Sequence, residues 1–322
     1  MILARVLRCL LAIGWLVPFA DAIAQGYPAK PVRVIAPFAP GGAADVVSRT
    51  VSERLTAALG QQFVVDNRAG AAGTIGLDML SRAAPDGYTI GSASEAMTVL
   101  AYTQKGIAWN PLTSFTPISL MSTQPLVLVV NAAVPATSVR ELIAYSKAKP
   151  GQLSFGSSGH GHSQHLTGEM IRKAAGIDMT HVPYKGGGQA VIDLVGGQIP
   201  AAVLGSSPVI PHHRTGKVRI LAVTSAKRSA ALPNVPTLAE SGGAGIDVSQ
   251  TIGMFGPAKL PKEIVTRLHA EIAKALATPA VRERLEHAGF EASPGTPQQL
   301  ADLMRANYER WGRLIKELDL RF

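Results

Sequence analysis

The sequence predicts an α/β fold built on mostly parallel sheets, and three observations carry that expectation. Short β-branched segments alternate with stretches whose apolar residues recur every three or four positions, the pattern of strands interleaved with amphipathic helices. Several of these strands run straight into small-residue loops that open the next helix. The length of 322 residues, at roughly 100–200 per domain, fits two domains. Composition excludes other classes. Hydrophobic residues are 47% and charged residues 16%, the reverse of what keeps a chain disordered. The single cysteine, Cys9, rules out a disulfide scaffold.

Residues 1–24 read as a secretory signal peptide. Arg5 and Arg8 supply the positive start, Cys9 to Ala20 an apolar run, and Ala22-Ile23-Ala24 a small-residue cleavage site, so the mature chain is expected to begin at Gln25, or after Ala22. The run is well short of the roughly 20 residues that span a bilayer, and no later segment is long and apolar enough to do so. The leader takes with it Cys9, two arginines and Asp21, which leaves 29 basic and 21 acidic residues and a net charge of +8. An exported chain without thiols is left with no cysteine nucleophile, thiolate metal site or redox pair.

Along the mature chain, Val32 to Ala36 reads as a buried strand that enters Phe38-Ala39-Pro40-Gly41-Gly42-Ala43-Ala44-Asp45. A helix follows with Val47, Val51, Leu55 and Leu59 on one face and Gly60 as its stop. Phe63 to Val65 and Tyr88 to Gly91 are the next strands, the first ending in a loop with Gly70 and Gly73, the second in Ser92-Ala93-Ser94-Glu95. Leu126 to Val130 starts a second series, and Ser138 to Glu141 forms a capping box. Leu153 to Phe155 leads into Gly156-Ser157-Ser158-Gly159-His160-Gly161. Thr180 to Val182 leads into a loop with Gly186, Gly187 and Gly188, and Ala201 to Leu204 into Gly205-Ser206-Ser207. Val218 to Val223 is the last strong strand, and the remainder is expected to be mostly helical, ending in a helix with Leu300, Met304, Tyr308, Trp311 and Ile315.

Glycine loops at the carboxyl ends of strands, each opening a helix, suit an anionic ligand: the backbone can come close, and the helix start offers unpaired N–H groups. None is a phosphate motif. Neither G-x-x-x-x-G-K-[ST] nor G-x-G-x-x-G occurs, so no nucleotide cofactor is implied, and no other cofactor is expected. Gly156-Ser157-Ser158-Gly159-His160 misses the nucleophile elbow G-x-S-x-G, because its last glycine falls one place early. His160, His162 and His165, with Glu169 beyond them, have ligand types that could hold zinc, and a metal-binding protein is the alternative reading. The basic residues are dispersed among acids, as in Arg282-Glu283-Arg284, so no nucleic-acid partner is expected.

Several stretches together resemble the Bug family, the extracytoplasmic solute receptors of tripartite tricarboxylate transporters. They are Pro31-Val32-Arg33 through Asp45; Asn67-Arg68 with Gly70 and Gly73; Ala84-Pro85-Asp86-Gly87-Tyr88; Gly156-Ser157-Ser158-Gly159 with His165-Leu166; Val182-Pro183-Tyr184-Lys185-Gly186; and Leu232-Pro233-Asn234-Val235-Pro236-Thr237-Leu238. The resemblance implies a two-domain Venus-flytrap periplasmic binding protein of type II, with domain 1 at 25–125 plus 249–322 and domain 2 at 126–248. It implies a monomer without catalysis that holds a small carboxylate or amino-acid-like ligand at the cleft and passes it to integral-membrane permease subunits. A receptor that feeds a signalling partner in place of transport is a further reading that the sequence leaves open.

Carried over residue by residue, the resemblance places Phe38, Ala39, Gly41, Gly42 and Asp45 in the first ligand loop, with Asp45 either capping its helix or at the ligand. Ala72 and Gly73 match a second loop, and Ser94 ends a third. Ser157, Ser158, Gly159 and Gly161 match the facing loop, and Gly188 and Gln189 open the next helix. Four departures stand out. Glu95-Ala96-Met97 follows Ser94 where relatives commonly have Gly-Thr-His; the acid either enters the cleft, where it suits an ammonium-bearing ligand, or points to solvent. Gly205 stands where many relatives carry Asp, with Ser206 as a substitute polar group. His160 and His162 replace small or hydroxylic residues and could bring positive charge. Thr251 stands where an aromatic is common and could enlarge the pocket.

Overall fold

The computed structural model describes residues 26–243 and 246–317; the expected signal peptide lies outside the described residues. The chain opens with three βα units. Strand β1 (Val32–Ala36) pairs in parallel with β2 (Phe63–Asn67) on one side and β3 (Thr89–Ser94) on the other. Helices α1 (Ala43–Leu59), α2 (Thr74–Ser81) and α3 (Ala96–Thr103) follow these strands in turn. Alternating polarity explains α1: Val47, Val51 and Leu55 are fully buried, and Gly60 ends the helix in the left-handed conformation at φ 70°.

The chain then enters β4 (Phe115–Asn131), a 17-residue strand that serves two ladders. Up to Pro125 it pairs antiparallel with β9 (Ser249–Pro257), and from Leu126 onward with β7 (Ala201–Gly205) and β8 (Val218–Val223). Between β4 and β7 lie α4 (Val139–Ala148), β5 (Ser154–Ser157), α5 (Ser163–Ala175), β6 (Thr180–Pro183) and α6 (Gly187–Val195); β5 pairs in parallel with β6 and β7. The short α7 (Ile210–Arg214) precedes β8. After β9 come α8 (Lys262–Ala277), α9 (Pro279–His287), β10 (Glu291–Gly295) and α10 (Pro297–Glu317).

The protein is thus an α/β structure with helices flanking a mixed sheet in strand order β2-β1-β3-β9-β4-β7-β5-β6. Parallel ladders end on antiparallel ones because β4 and β9 carry the chain out of the first half and back in opposite directions. Each half has its own core. Val34, Val51, Ile90, Leu268 and Ile272 close one; Leu128, Phe155, Leu166, Val203 and Leu221 close another. Helix α10 reaches from one to the other: its Trp311, 1% exposed, packs into the second core beside Val99 of α3.

Beta structure is more extensive than the sequence pattern predicts. Pro117, Pro125 and the polar run Ser122-Thr123-Gln124 hide the first two-thirds of β4, and Gly253, Gly256 and Pro257 hide β9. These strands pair on both sides in a sheet covered by helices, so alternation is lost. At α5 the helix approaches the sheet so closely that a Cβ on Gly168 would lie 2.0 Å from Phe155 Cε2. Gly168→Ala is therefore expected to cost about 1–3 kcal/mol of stability by overpacking, measured by urea denaturation. An unchanged midpoint would show that the ring yields freely.

Candidate ligand-binding site

A cavity of about 380 Å³ lies where the carboxyl ends of the parallel strands from both halves meet. The β1–α1 loop supplies Phe38, Ala39, Pro40, Gly42, Ala43 and Ala44; Ala69 and Ser94 extend that wall. The facing wall consists of Ser158, His162 and Gln164 from the β5–α5 region, and Lys185, Gly186, Gly187, Gly188, Gln189 and Ile192 from the β6–α6 region, with Gly205 and Pro208. Gln124, Gln250 and Ile252 of the crossing strands close the space between the walls.

Three helices start at this cavity, α1 capped by Gly42, α5 by His162 and α6 by Gly186, and in none of them does the capping side chain bond the helix's own first N–H groups. The first N–H groups of a helix have no partner within it and carry its positive dipole end. The lining contains one cation, Lys185, and no carboxylate. The local chemistry is therefore that of an anion site set among apolar surfaces.

Of the residues expected at the ligand, Phe38, Ala39, Gly42, Ser94, Ser158, Gly188, Gln189 and Gly205 line the cavity. The others support it from behind. Asp45 is buried, and its carboxylate accepts hydrogen bonds from Gly41 N (3.0 Å), Arg49 Nε (2.9 Å) and Asn67 Nδ2 (2.9 Å), fixing the β1–α1 loop. Burial opposes its charge, but these three partners outweigh it and hold the carboxyl below its usual range. Gly73 lies against the Phe38 ring, where a Cβ would come within 3.0 Å of Cζ. A Cβ on Gly159 would lie 3.5 Å from that of Ala72, so these two loops meet across the cleft. Ser157 Oγ bonds within its own turn to Gly159 O and reaches His181 Nε2 at 2.7 Å. The Gly161 carbonyl accepts from Thr103 Oγ1 (2.9 Å), the His160 carbonyl from Gln104 Nε2 (3.2 Å), and Ser206 Oγ donates to the Gly289 carbonyl (3.1 Å).

Glu95 neither faces the ligand space nor points to solvent. It is 2% exposed, and its Oε1 accepts from Ser163 Oγ (2.9 Å) while Oε2 accepts from Thr251 N (2.8 Å). Burial pushes its pKa up to about 7 against the opposing pull of these donors. Thr251 is buried, its backbone N–H is held in this contact, and it does not line the cavity. The His160 and His165 rings come together with that of His181, His160 to His165 at 5.0 Å between centroids, but no group able to hold a metal ion is found among the described residues. His162 lines the cavity, while His165 stacks on His181 with centroids 3.7 Å apart and accepts from Gly161 N through Nδ1. Burial lowers the His162 pKa to about 4, so it brings no positive charge near neutrality.

Sequence reasoning missed Gln124 and Gln250. They lie in register on β4 and β9, and Gln124 Nε2 donates to Gln250 Oε1. Gln124 Oε1 accepts from Ser207 N at 2.9 Å. A Cβ at Gly205 would lie 2.5 Å from Gln124 Nε2 and 2.9 Å from Gln250 Oε1. The amide pair thus fills the space that a side chain at 205 would need. Both glutamines lay in polar stretches that did not read as strand, so nothing in the sequence marked them.

The fold and this cleft define a periplasmic solute-binding protein, a class without enzymatic activity. The chain belongs to the tripartite tricarboxylate transporter family receptor family, whose description matches residues 47–320. It is similar to the periplasmic binding protein BugD, at 34% identity and a TM-score of 0.87 over 92% of this chain and 99% of that one. A Rhodopseudomonas palustris protein solved with adipate is 32% identical, with a TM-score of 0.88 over 91% and 99% of the two chains. MatC from Rhodopseudomonas palustris, solved with bound malate, is 29% identical, with a TM-score of 0.85 over 90% and 100%. No helix among the described residues is long and apolar enough to cross a membrane.

The buried titratable groups set opposing pH trends. The raised pKa of Glu95 means that its contribution to stability is full below its ordinary value of 4.5 and lost as pH rises to about 7. His162, His165 and His181, all lowered first by burial, contribute fully above 6.5 and lose that contribution as pH falls toward 3–4. Glu95→Gln is therefore expected to gain on the native protein by up to about 3 kcal/mol between pH 5 and pH 8, measured by denaturant titration at both. The same difference at the two pH values would contradict the burial penalty.

Proposed function

We propose that the protein is an extracytoplasmic receptor that binds a small carboxylate with an apolar body between two lobes and delivers it to the permease subunits of a tripartite transporter. The observation that carries this reading is the convergence of three uncapped helix starts and Lys185 on a cavity with no acidic lining. The adipate and malate held by two similar proteins support the ligand class. Phe38, Ala44, Ala69, Ile192, Pro208 and Ile252 give the walls apolar surface for a hydrocarbon chain between polar ends. With Glu95 withdrawn into the protein, the acid that would have favoured an ammonium-bearing ligand is out of reach.

We place the lobe boundaries at 25–125 plus 249–322 and 126–248. The ladder partners of β4 change between Pro125 and Leu126, and β9 re-enters opposite Pro125 at Ser249. Two antiparallel strands are then the hinge, and a ligand that touches both walls favours the closed state. Export through the N-terminal signal puts the receptor in the periplasm.

A thermal-shift panel of mono-, di- and tricarboxylates, amino acids and sugars tests the ligand class. At 100 times its dissociation constant a ligand adds about 2.7 kcal/mol of stability. Adipate is expected to stabilise the protein more than malate, because the hydroxyl of malate finds apolar walls. Stabilisation by a sugar or a cationic amine and by no carboxylate would overturn the class. Gly42→Val, whose Cβ would sit 3.3 Å from Ala39 O at the start of α1, is expected to lose binding of the best panel ligand by at least tenfold while remaining folded. Unchanged affinity would remove the β1–α1 loop from the site.

A further inference from the structure

The floor of the cavity carries an amide donor that the protein leaves without a partner. Gln250 and Ile252, two residues apart on β9, point to the same side of the strand and both line the cavity, while Thr251 between them does not. Gln250 is 6% exposed, and its Oε1 accepts from Nε2 of Gln124, its neighbour in register on β4. Gln250 Nε2 bonds to nothing among the described residues. Yet it is not one of their sealed, unpaired polar atoms, as Ser122 Oγ and His162 Nε2 are, so it keeps an open face. A second hollow lies behind the crossing strands, between Lys227 and Glu291. Gln124 borders both hollows, whereas Gln250 lines only the cavity.

The direction of both amides is fixed from outside the pair. A backbone N–H can only donate. Ser207 N donates to Gln124 Oε1 at 2.9 Å and has no other acceptor among the described residues. The Gln124 oxygen is thus held at Ser207 and its Nε2 turns to Gln250. The Gln250 oxygen must meet that donor, and its own Nε2 must face the cavity. Ser206 Oγ, 3.3 Å from Gln124 Oε1, could accept from a reversed amide, so the hydroxyl does not set the direction. Reversal would still place an amide nitrogen 2.9 Å from Ser207 N and leave that buried N–H unpaired, a cost the observed direction avoids. The pair has room to lie this way because residue 205 is glycine.

We propose that Gln250 determines which ligand end is accepted at the cavity floor. With one carboxylate at the helix starts, Gln250 Nε2 donates to a second, hydrogen-bond-accepting end, a carboxylate above all, and refuses an ammonium. The inference deepens the carboxylate reading given above and rests on it.

The chemistry of the amide sets the ranking. Its NH2 group offers donors and no acceptor to the cavity, since its oxygen is taken by Gln124. A carboxylate end completes those donors, and hydrogen bonds to a charged acceptor are the stronger kind. A methyl end excludes water and leaves the amide unpaired. An ammonium end sets donor against donor, with no carboxylate in the lining to receive it. The helix starts take the first carboxylate whatever the far end is, so Gln250 reads the far end alone.

Adipate, hexanoate and 6-aminohexanoate share a chain length and one carboxylate and differ at the far end, so calorimetry with the three tests the assignment. The native protein is expected to bind adipate at least about tenfold tighter than hexanoate, and hexanoate tighter than 6-aminohexanoate. Gln250→Met keeps the length of the side chain and removes the amide. It is expected to lose at least about tenfold for adipate and less than about threefold for hexanoate. Equal losses for the two ligands would mean that Gln250 only shapes the floor, and no loss would mean that the second carboxylate lies elsewhere. Either result overturns the assignment while the carboxylate reading stands.

If the methionine variant does not fold, Gln250→Glu carries the test, since it keeps the shape and the bond from Gln124 Nε2. At pH 8.5 it is expected to bind 6-aminohexanoate tighter than hexanoate, the reverse of the native order. The native order in this variant overturns the assignment as well. A native protein that binds none of the three, nor any other carboxylate, overturns the receptor reading itself.

Discussion

The unsatisfied start of a helix is the constraint on which this structure turns. Each of α1, α5 and α6 begins with backbone N–H groups that the helix itself cannot pair, and in each the capping residue leaves them without a side-chain bond. In a protein selected for stability alone, Ser, Thr or Asp at those positions would satisfy one N–H and add about 1 kcal/mol per helix. Here Gly42, His162 and Gly186 stand there instead, and all three helices start at one cavity. The protein keeps its acids out of that space. Asp45, three residues into α1, turns back to Gly41 and Arg49, and Glu95 is drawn into the protein behind the wall. What remains is a set of uncompensated donors beside a single lysine, the chemistry of an anion site.

The two crossing strands relate the halves to each other. Because β4 and β9 are paired through Gln124 and Gln250 at the point where the ladders change partners, the floor of the cavity and the connection between the halves are the same residues. Among the described residues, hydrogen bonds across the cleft include Ser163 to Glu95, Thr103 to Gly161, Gln104 to His160 and Ser206 to Gly289. Single hydrogen bonds of this kind contribute of the order of 1 kcal/mol net. Helix α10 is the exception, since its Trp311 is packed into the second core by apolar contact and ties the C-terminal segment across the molecule.

Much of the frame was legible in the sequence, and the reasons are local. Val32 to Ala36 followed by Gly41-Gly42 and a helix ending at Gly60 is a βα unit whose turn chemistry and period agree, and the structure places those elements within a residue or two. The same holds for the loops before α5 and α6. Long-range pairing was not legible. Gln124 and Gln250 are 126 positions apart, and only the antiparallel register of β4 on β9 brings them together at Gly205. Glu95 was visible as an unusual acid, but its direction was not, because it depends on Ser163 and Thr251, which belong to distant segments. The histidine cluster misled for the opposite reason: nearby rings need not form a metal site, and His160 and His165 stack with His181, from a distant segment, while His162 is part of the cavity lining.

The central claim is that a carboxylate completes the helix starts of both halves. A crystal structure of the protein grown with adipate tests it most directly. The account predicts carboxylate oxygens within hydrogen-bond distance of backbone N–H groups at the starts of α1 and α6, with the hydrocarbon chain between Phe38 and Ile192. Adipate bound with its carboxylates away from both helix starts, or found only outside the cleft, would contradict it.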